Sequence, residues 1–350
     1  MDNYFEIDGR KIGYEYPTFI IAELSANHAN DFDIAVETIK AMKDAGADAI
    51  KFQTYKPDTI TINCDKEDFQ IKQGTIWDGQ VLYNLYEDAY MPWEWQPKLK
   101  KIAEDLGLIV FSSPFDFTSV DFLEEMNVPA YKIASYEITD IPLIKYVASK
   151  GKPIIISTGI ATIEDIELAL KTCYDVGNNE VSLLKCTSSY PSPLDEINLK
   201  TIQDMNEKFD AVIGLSDHTM GIEVSIAAVA LGANIIEKHF ILDRNMDSPD
   251  AKFSMEPHEF KMMVEGIRNI EKALGHVNYD LTEKMEINRD FSRSLYIVED
   301  MKKGEIFTKN NLKSIRPGFG LHPKYYEKVL GKKSNFDISS GTPLKKEMFD

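Results

Sequence analysis

Eight short apolar runs succeed one another between residues 19 and 240: FIIAELS from Phe19, AIKFQTY from Ala49, LIVFSSPF from Leu108, AYKIAS from Ala130, PIIIST from Pro153, VSLLKCT from Val181, AVIGLSD from Ala211 and IIEKHF from Ile235. Stretches with apolar residues at helical spacing separate them, FDIAVETIKAMKDAG and TIEDIELALKTCYDVG being the clearest. A strand that follows a helical crossover runs parallel to its predecessor, and the crossover is right-handed. Eight such units in roughly 250 residues predict an α/β fold, a (β/α)8 TIM barrel. A doubly wound open sheet is the rival, but no glycine-rich phosphate-binding turn follows the first run. AGADAIKFQ and LGANIIEKHF even carry the same helix stop and strand start.

The flanks add three expectations. Residues 4–16 alternate apolar and polar around a DGRK turn, which predicts a hairpin covering the bottom of the barrel. Between Tyr55 and Trp93 a long insertion follows the second strand, at the functional face; its aromatics Trp77, Tyr83, Tyr86, Tyr90 and Trp93 suit either a lid or a packed rim. The last barrel helix spans about Pro257 to Leu274, so the barrel with its hairpin is expected over 1–276, a linker over 277–289 and a small β-rich module over 290–350. In that module DMKKGEIFTKNNL and DISSGTPLKKEMF repeat at an offset of 37 residues, putting Asp300 and Asp337, Gly304 and Gly341, Phe307 and Leu344, and Leu312 and Phe349 in register.

Charge narrows the partners. The net charge of −18 argues against nucleic acid and anionic membranes. Residues 285–350 nevertheless hold 13 Lys and Arg against 9 Asp and Glu, leaving −22 for the rest, so the module is expected to dock on acidic surface within or between chains. Cys64, Cys173 and Cys186 have neither disulfide-like nor ligand-like spacing, MDNYFEIDGR is no signal peptide, and no apolar run approaches the ~18 residues of a membrane span; a cytoplasmic setting is expected.

In a (β/α)8 barrel, polar residues at strand ends are the catalytic candidates. Residues 211–240 place His218 and His239 at the ends of neighbouring parallel strands, and two convergent imidazoles with Asp217 and Glu237 adjacent suit a divalent metal. Lys51 and Gln53, two apart, share the inward face of the second strand, and the fourth carries Lys132 and Ser135 followed by Glu137. Two lysines among the hydroxyls of Ser112, Ser113, Ser157, Thr158, Ser188 and Ser216 suit a phosphorylated anion. The other readings of these lysines are a plain ion pair with Glu23 or Glu137 and a Schiff base, and those carboxylates are either acid–base groups or counter-charges. His28 is expected to be structural, and His258, His276 and His322 to lie on the surface.

AELSANH, IKFQTY, SSPFD, PAYKIAS-Y-E, GKPIIISTG, KCTSSYP, GLSDHT and EKHF, with IRPGFG around Arg316, resemble the sialic-acid synthase family in order and spacing over nearly the whole chain. AELSANH, the tryptophan- and tyrosine-rich insertion and SSPFD resemble most its pseudaminic acid synthase subgroup; the N-acetylneuraminate and legionaminate synthases are the alternative. The resemblance implies condensation of phosphoenolpyruvate with an N-acetylated amino sugar and water, releasing phosphate. It implies a C-terminal antifreeze-like (SAF) domain and a domain-swapped homodimer. By match of motif, His218 and His239 would hold Mn²⁺, Mg²⁺ or Co²⁺, and Lys51, Ser113, Lys132, Ser135, Ser157, Ser188 and Ser216 would bind phosphoenolpyruvate. Glu23, Gln53, Tyr190, Asp250 and Arg316 would face the sugar, with Glu23 and Glu137 as the catalytic carboxylates. Ser188 stands where many members carry an asparagine that contacts phosphate. Rival readings are a Schiff-base aldolase on the same barrel and a carbohydrate-binding protein whose SAF domain is the active part.

Overall fold

The computed structural model describes residues 4–72, 74 and 76–350, and divides into two compact units, Met1–Gly275 and His276–Asp350. The chain opens with an antiparallel hairpin, β1 (Tyr4–Ile7) and β2 (Arg10–Gly13), turned by Asp8 and Gly9, both at positive φ. That backbone is the primed turn whose twist matches a two-residue hairpin. Phe5, Ile7 and Ile12 of the hairpin pack on Phe19, Ile21, Phe111, Ile155, Leu184 and Ile235, so the hairpin plugs the lower end of the strands that follow.

All eight apolar runs form strands: β3 (Phe19–Glu23), β4 (Ala49–Thr54), β5 (Ile109–Pro114), β6 (Tyr131–Ile133), β7 (Ile154–Ser157), β8 (Val181–Cys186), β9 (Val212–Asp217) and β10 (Ile235–His239). They pair in parallel in sequence order, and β10 pairs with β3 to close the barrel. Both faces of each strand are covered, which is why the runs are continuously apolar rather than alternating. Ile20, Ile50, Val110, Ile133, Ile156, Leu183, Ile213 and Ile236 face the helices, while their neighbours line the interior. At Gly214 the interior leaves no room for a side chain, since a Cβ there would lie 2.6 Å from Ile235 O and from Leu184 Cδ2.

The outer helices are α1 (Phe32–Asp44), α4 (Gln96–Asp105), α5 (Phe117–Glu125), α6 (Ile141–Ala148), α7 (Ile163–Asp175), α8 (Thr201–Lys208), α9 (Glu223–Ala230) and α10 (Pro257–Leu274). The insertion supplies two more, α2 (Pro57–Ile60) and α3 (Leu82–Ala89). Local chemistry sets their ends. The Asp31 carboxylate accepts from Asp33 N and Ile34 N, Asp116 and Thr162 head capping boxes, and Pro257 occupies the first position of α10. The repeated stop signals are real: Gly46 and Gly232, at φ +92° and +98°, turn α1 and α9 back toward the next strand in a conformation that penalises a Cβ.

In the second unit, β11 (Ser294–Ile297) pairs antiparallel with β12 (Leu312–Ile315), and two short helices, α11 (Glu283–Asn288) and α12 (Tyr326–Val329), accompany them. Residues 277–289, expected as a plain linker, thus include α11, capped by the Thr282 hydroxyl at Met285 N. The 37-residue repeat is a pseudo-twofold axis. Met301 and Ile338 exchange both backbone hydrogen bonds; Asp300 accepts from Ser340 N and Asp337 from Lys303 N, each at 2.8 Å. Ile297 N donates to Thr342 O as Ser334 N donates to Glu305 O, and Phe307 and Leu344 fill equivalent core positions. Among the described residues no helix is long and apolar enough to cross a membrane.

Candidate active site

The strand period decides which strand-end side chains meet. On β3, β4 and β10, Glu23, Lys51 and Glu237 all turn inward: Lys51 forms an ion pair with Glu23 and lies 3.2 Å from Glu237 Oε1, all three being almost wholly buried. Glu237 also accepts from Ser216 Oγ at 2.9 Å and lies 3.8 Å from Lys132 Nζ. Lys132 donates to Ser157 Oγ at 2.6 Å and to Ile133 O at 3.0 Å. Burial pushes the Lys51 ammonium down to about 8 despite Glu237. Glu237 is held low, the burial that would raise it being outweighed by Lys132 and Lys51. The ion pair that is the alternative reading of Lys51 is therefore present, with Glu237 as a counter-charge alongside Glu23.

From this charged floor, contacts run around the mouth. Gln53 Nε2 donates to Glu23 Oε1 at 3.1 Å and to Ser25 Oγ at 3.0 Å, and Ser25 Oγ donates to Asp250. Asp250 Oδ2 lies 3.6 Å from His239 Nδ1, and the His239 and His218 rings stand 5.4 Å apart. His218 Nδ1 faces Thr187 O at 3.3 Å and Cys186 Sγ at 3.8 Å. Beyond Cys186, Gly159 N donates to Ser135 Oγ at 3.1 Å, and a Cβ on Gly159 would fall 2.2 Å from Ser188 Oγ; Ser188 thus packs on bare backbone. Ser113 is paired in register with Gln53. Tyr190 lies against His218, ring centroids 4.5 Å apart. Glu137 ends the turn after β6; burial pushes its carboxyl up to about 7 against the pull of Lys132.

Asp217 is a correction. It is one residue out of phase with Ser216 and His218, points away from the interior, and pairs there with Lys238 at 2.7 Å and with Ser225 at 2.7 Å. The carboxylate beside the imidazoles is Asp250, not Asp217. Arg316 belongs to the second unit. It is exposed at the end of β12 and makes no hydrogen bond or ion pair among the described residues. Its loop is pinned by Ser294 Oγ to Pro317 O at 2.6 Å and by Gly318 N to Asp290 O at 2.8 Å. His28 is structural as expected: buried, held down to about 4 by burial, and edge-on to Trp95. His258 and His276 are exposed, and His322 caps a turn at Lys324 N.

The insertion also divides. Trp93 stacks on Phe122 at 4.6 Å and Trp95 joins the core, so both serve the rim. Trp77 instead reaches over the mouth, 5.7 Å from the Tyr190 ring, with Nε1 donating to Pro249 O at 3.3 Å. Phe253, which the sequence reading missed, completes this wall 4.9 Å from His239. Its one signal was position, four residues before the last helix begins.

Ser113 Oγ, Glu137 Oε2, Ser188 Oγ, Glu237 Oε2 and His239 Nδ1 are all buried without a hydrogen-bond partner among the described residues. Buried polar atoms are rarely left so, and their gathering at one barrel mouth marks a ligand site. Its two ammoniums and hydroxyls suit an anion, its imidazole pair a cation, and its glutamates proton transfer.

Residues 38–279 match the NeuB family and residues 292–350 the SAF domain. The chain is 50% identical over 331 residues to the pseudaminic acid synthase of Campylobacter jejuni subsp. jejuni serotype O:23/36 (strain 81-176), covering 95% of this chain and 96% of that one. It is 46% identical over 329 residues to the pseudaminic acid synthase of Helicobacter pylori (strain ATCC 700392 / 26695), covering 94% and 96%. Among solved structures, the N-acetylneuraminic acid synthetase of Leptospira borgpetersenii serovar Hardjo-bovis superimposes with a TM-score of 0.72 at 34% identity, over 81% of this chain and 94% of that one. With the barrel and the C-terminal repeat both matched, the chain belongs to the NeuB family and carries a SAF domain over residues 292–350.

Proposed function

We propose that this chain is a pseudaminic acid synthase. It condenses phosphoenolpyruvate with 2,4-diacetamido-2,4,6-trideoxy-L-altrose and water, giving the nonulosonic acid and phosphate. The observation that carries the reading is identity of 50% and 46%, end to end, with proteins named for that activity, against 34% with an N-acetylneuraminic acid synthetase. The barrel mouth supports it. Lys51 and Lys132, with Ser113, Ser135, Ser157, Ser188 and Ser216, take the phosphate and carboxylate of phosphoenolpyruvate in charge-assisted hydrogen bonds. Gln53, Asp250 and Tyr190 orient the sugar so that its aldehyde carbon meets the enol carbon. As that carbon–carbon bond forms, positive charge develops at the neighbouring carbon. Water adds there, and the adduct loses phosphate. Glu137, whose carboxyl sits near neutrality, or Glu23 takes the proton from that water.

His218 and His239 fit a divalent metal, Mn²⁺, Mg²⁺ or Co²⁺. The Thr187 carbonyl accepts a hydrogen bond from His218 Nδ1–H and so leaves Nε2 free, and His239 Nδ1 is buried without a hydrogen-bond partner. Burial keeps the His239 imidazole neutral, the form that binds metal. Such an ion would supply Lewis-acid polarisation of the sugar aldehyde. Three free cysteines support a reducing, cytoplasmic setting. The pinned loop and unpaired guanidinium of Arg316 support a homodimer in which each SAF domain offers Arg316 to the other subunit's sugar.

The test is phosphate release from phosphoenolpyruvate by the full chain, with Mn²⁺ or Mg²⁺ and a panel of N-acetylated aldoses. The 2,4-diacetamido-6-deoxy sugar should give the highest kcat/KM. An equal or higher value for N-acetylmannosamine would move the chain to the N-acetylneuraminate synthases.

A further inference from the structure

The two sides of the barrel mouth differ in chemistry. Gln53, Glu23, Ser25 and Asp250 make one side polar. Next to it stands an aromatic wall: Phe253 lies 5.2 Å from Tyr190, 4.9 Å from His239 and 6.2 Å from His218, and Trp77 meets its ring perpendicularly at 6.5 Å. Phe253 is 2% exposed and rigidly held. It closes the turn Ala251–Phe253, which Asp250 ties to Ser25 on one side, while on the other Ser254 Oγ donates to Asp250 O at 2.7 Å and accepts from Asn27 Nδ2 at 2.8 Å. Trp77 is tied to the same loop through Pro249 O. A phenylalanine in edge contact with both imidazoles does no proton chemistry, but it offers apolar surface to a sugar that ends in a methyl group.

We propose that Phe253, backed by Trp77, is a specificity-determining residue that selects aldoses with a C6 methyl over those with a C6 hydroxymethyl. This rests on the functional reading above. With the aldehyde at the imidazole pair and the hydroxyls and amides toward Gln53 and Asp250, the sugar's tail lies along Phe253. A hydroxyl at C6 would then be desolvated against the ring faces of Phe253 and Trp77 with no partner.

The experiment compares kcat/KM for 2,4-diacetamido-2,4,6-trideoxy-L-altrose with that for its 6-hydroxy counterpart, 2,4-diacetamido-2,4-dideoxy-L-altrose, in the wild-type chain, Phe253→Ala, Phe253→Leu and Trp77→Ala. In the wild type the deoxy sugar should lead by about 10- to 100-fold, the range one group earns in an apolar pocket. Phe253→Ala should bring that ratio close to one, Trp77→Ala should lower it, and Phe253→Leu should retain most of it, all with KM for phosphoenolpyruvate unchanged. A purely packing role would depress both sugars equally. A wild-type ratio maintained in either alanine variant overturns the assignment, and Trp77→Ala decides alone if Phe253→Ala does not fold. A wild-type chain that condenses N-acetylmannosamine best overturns instead the functional reading.

Discussion

Replacing Glu137 by glutamine separates a working carboxylate from a buried one. Its carboxyl is pushed from 4.5 up to about 7, chiefly by burial and against the pull of Lys132. Because the folded state holds this proton more tightly than the unfolded chain, the group contributes most to stability below about pH 4.5 and loses that contribution as pH rises to about 7. At about 1.4 kcal/mol per pH unit the whole swing is about 3 kcal/mol. Glutamine does not titrate, so the stability of Glu137→Gln minus that of the parent should grow with pH across this window and level off above it. Trp77, Trp93 and Trp95 all lie in the first unit, so tryptophan fluorescence in urea reads the barrel directly. In the same window the parent's kcat/KM should rise on a limb with an apparent pKa near 7, which Glu137→Gln lacks. A stability difference that is flat between pH 5 and 8, or that shrinks as pH rises, would refute the reasoning.

Chelation should abolish turnover and Mn²⁺, Mg²⁺ or Co²⁺ restore it; full activity of His218→Ala/His239→Ala in chelator would remove the metal. Lys132→Met should raise KM for phosphoenolpyruvate roughly 10- to 150-fold, the worth of a charged hydrogen bond of about 1.5–3 kcal/mol, and an unchanged KM would take Lys132 out of the anion site. Gly214→Val should lower barrel stability by about 1–3 kcal/mol through overpacking against Ile235 and Leu184, read as a fall in the urea midpoint; an unchanged midpoint would mean that the strands yield. Arg316→Ala mixed with His239→Ala under subunit exchange should regain activity, since one site of each mixed dimer has both groups intact. Heterodimers no more active than their parents would place Arg316 in cis or outside the reaction.

The barrel was legible because each of its units repeats the same physics. A continuously apolar run followed by a helix recurs eight times, six of those helices stop at a glycine of positive φ, and only closure places the end of β10 against β3. The C-terminal repeat was legible for a related reason. Asp300 and Asp337 hold each other's turns, so a residue conserved between the two halves marks a reciprocal contact. What local pattern left open was the 277–289 stretch. Its short helix buries nothing, and a helix without a buried face leaves no periodic signature.

The site was legible where the strand period applies and obscure where it stops. Lys51 with Gln53, and Glu237 with His239, are each two apart and fall on one face, as alternation requires. The same rule turns Asp217 outward, because it lies between Ser216 and His218, so proximity in sequence to a histidine was the weaker guide. Asp250 and Phe253 follow no strand period. They stand on an irregular loop whose course is set by Ser25, Asn27 and Trp77, contacts more than 170 residues distant in the chain. The polar and apolar walls of the mouth are therefore both completed by one loop. A substitution that shifts it should change the choice of sugar more than the binding of phosphoenolpyruvate, whose proposed ligands stand on the strands themselves or just beyond them.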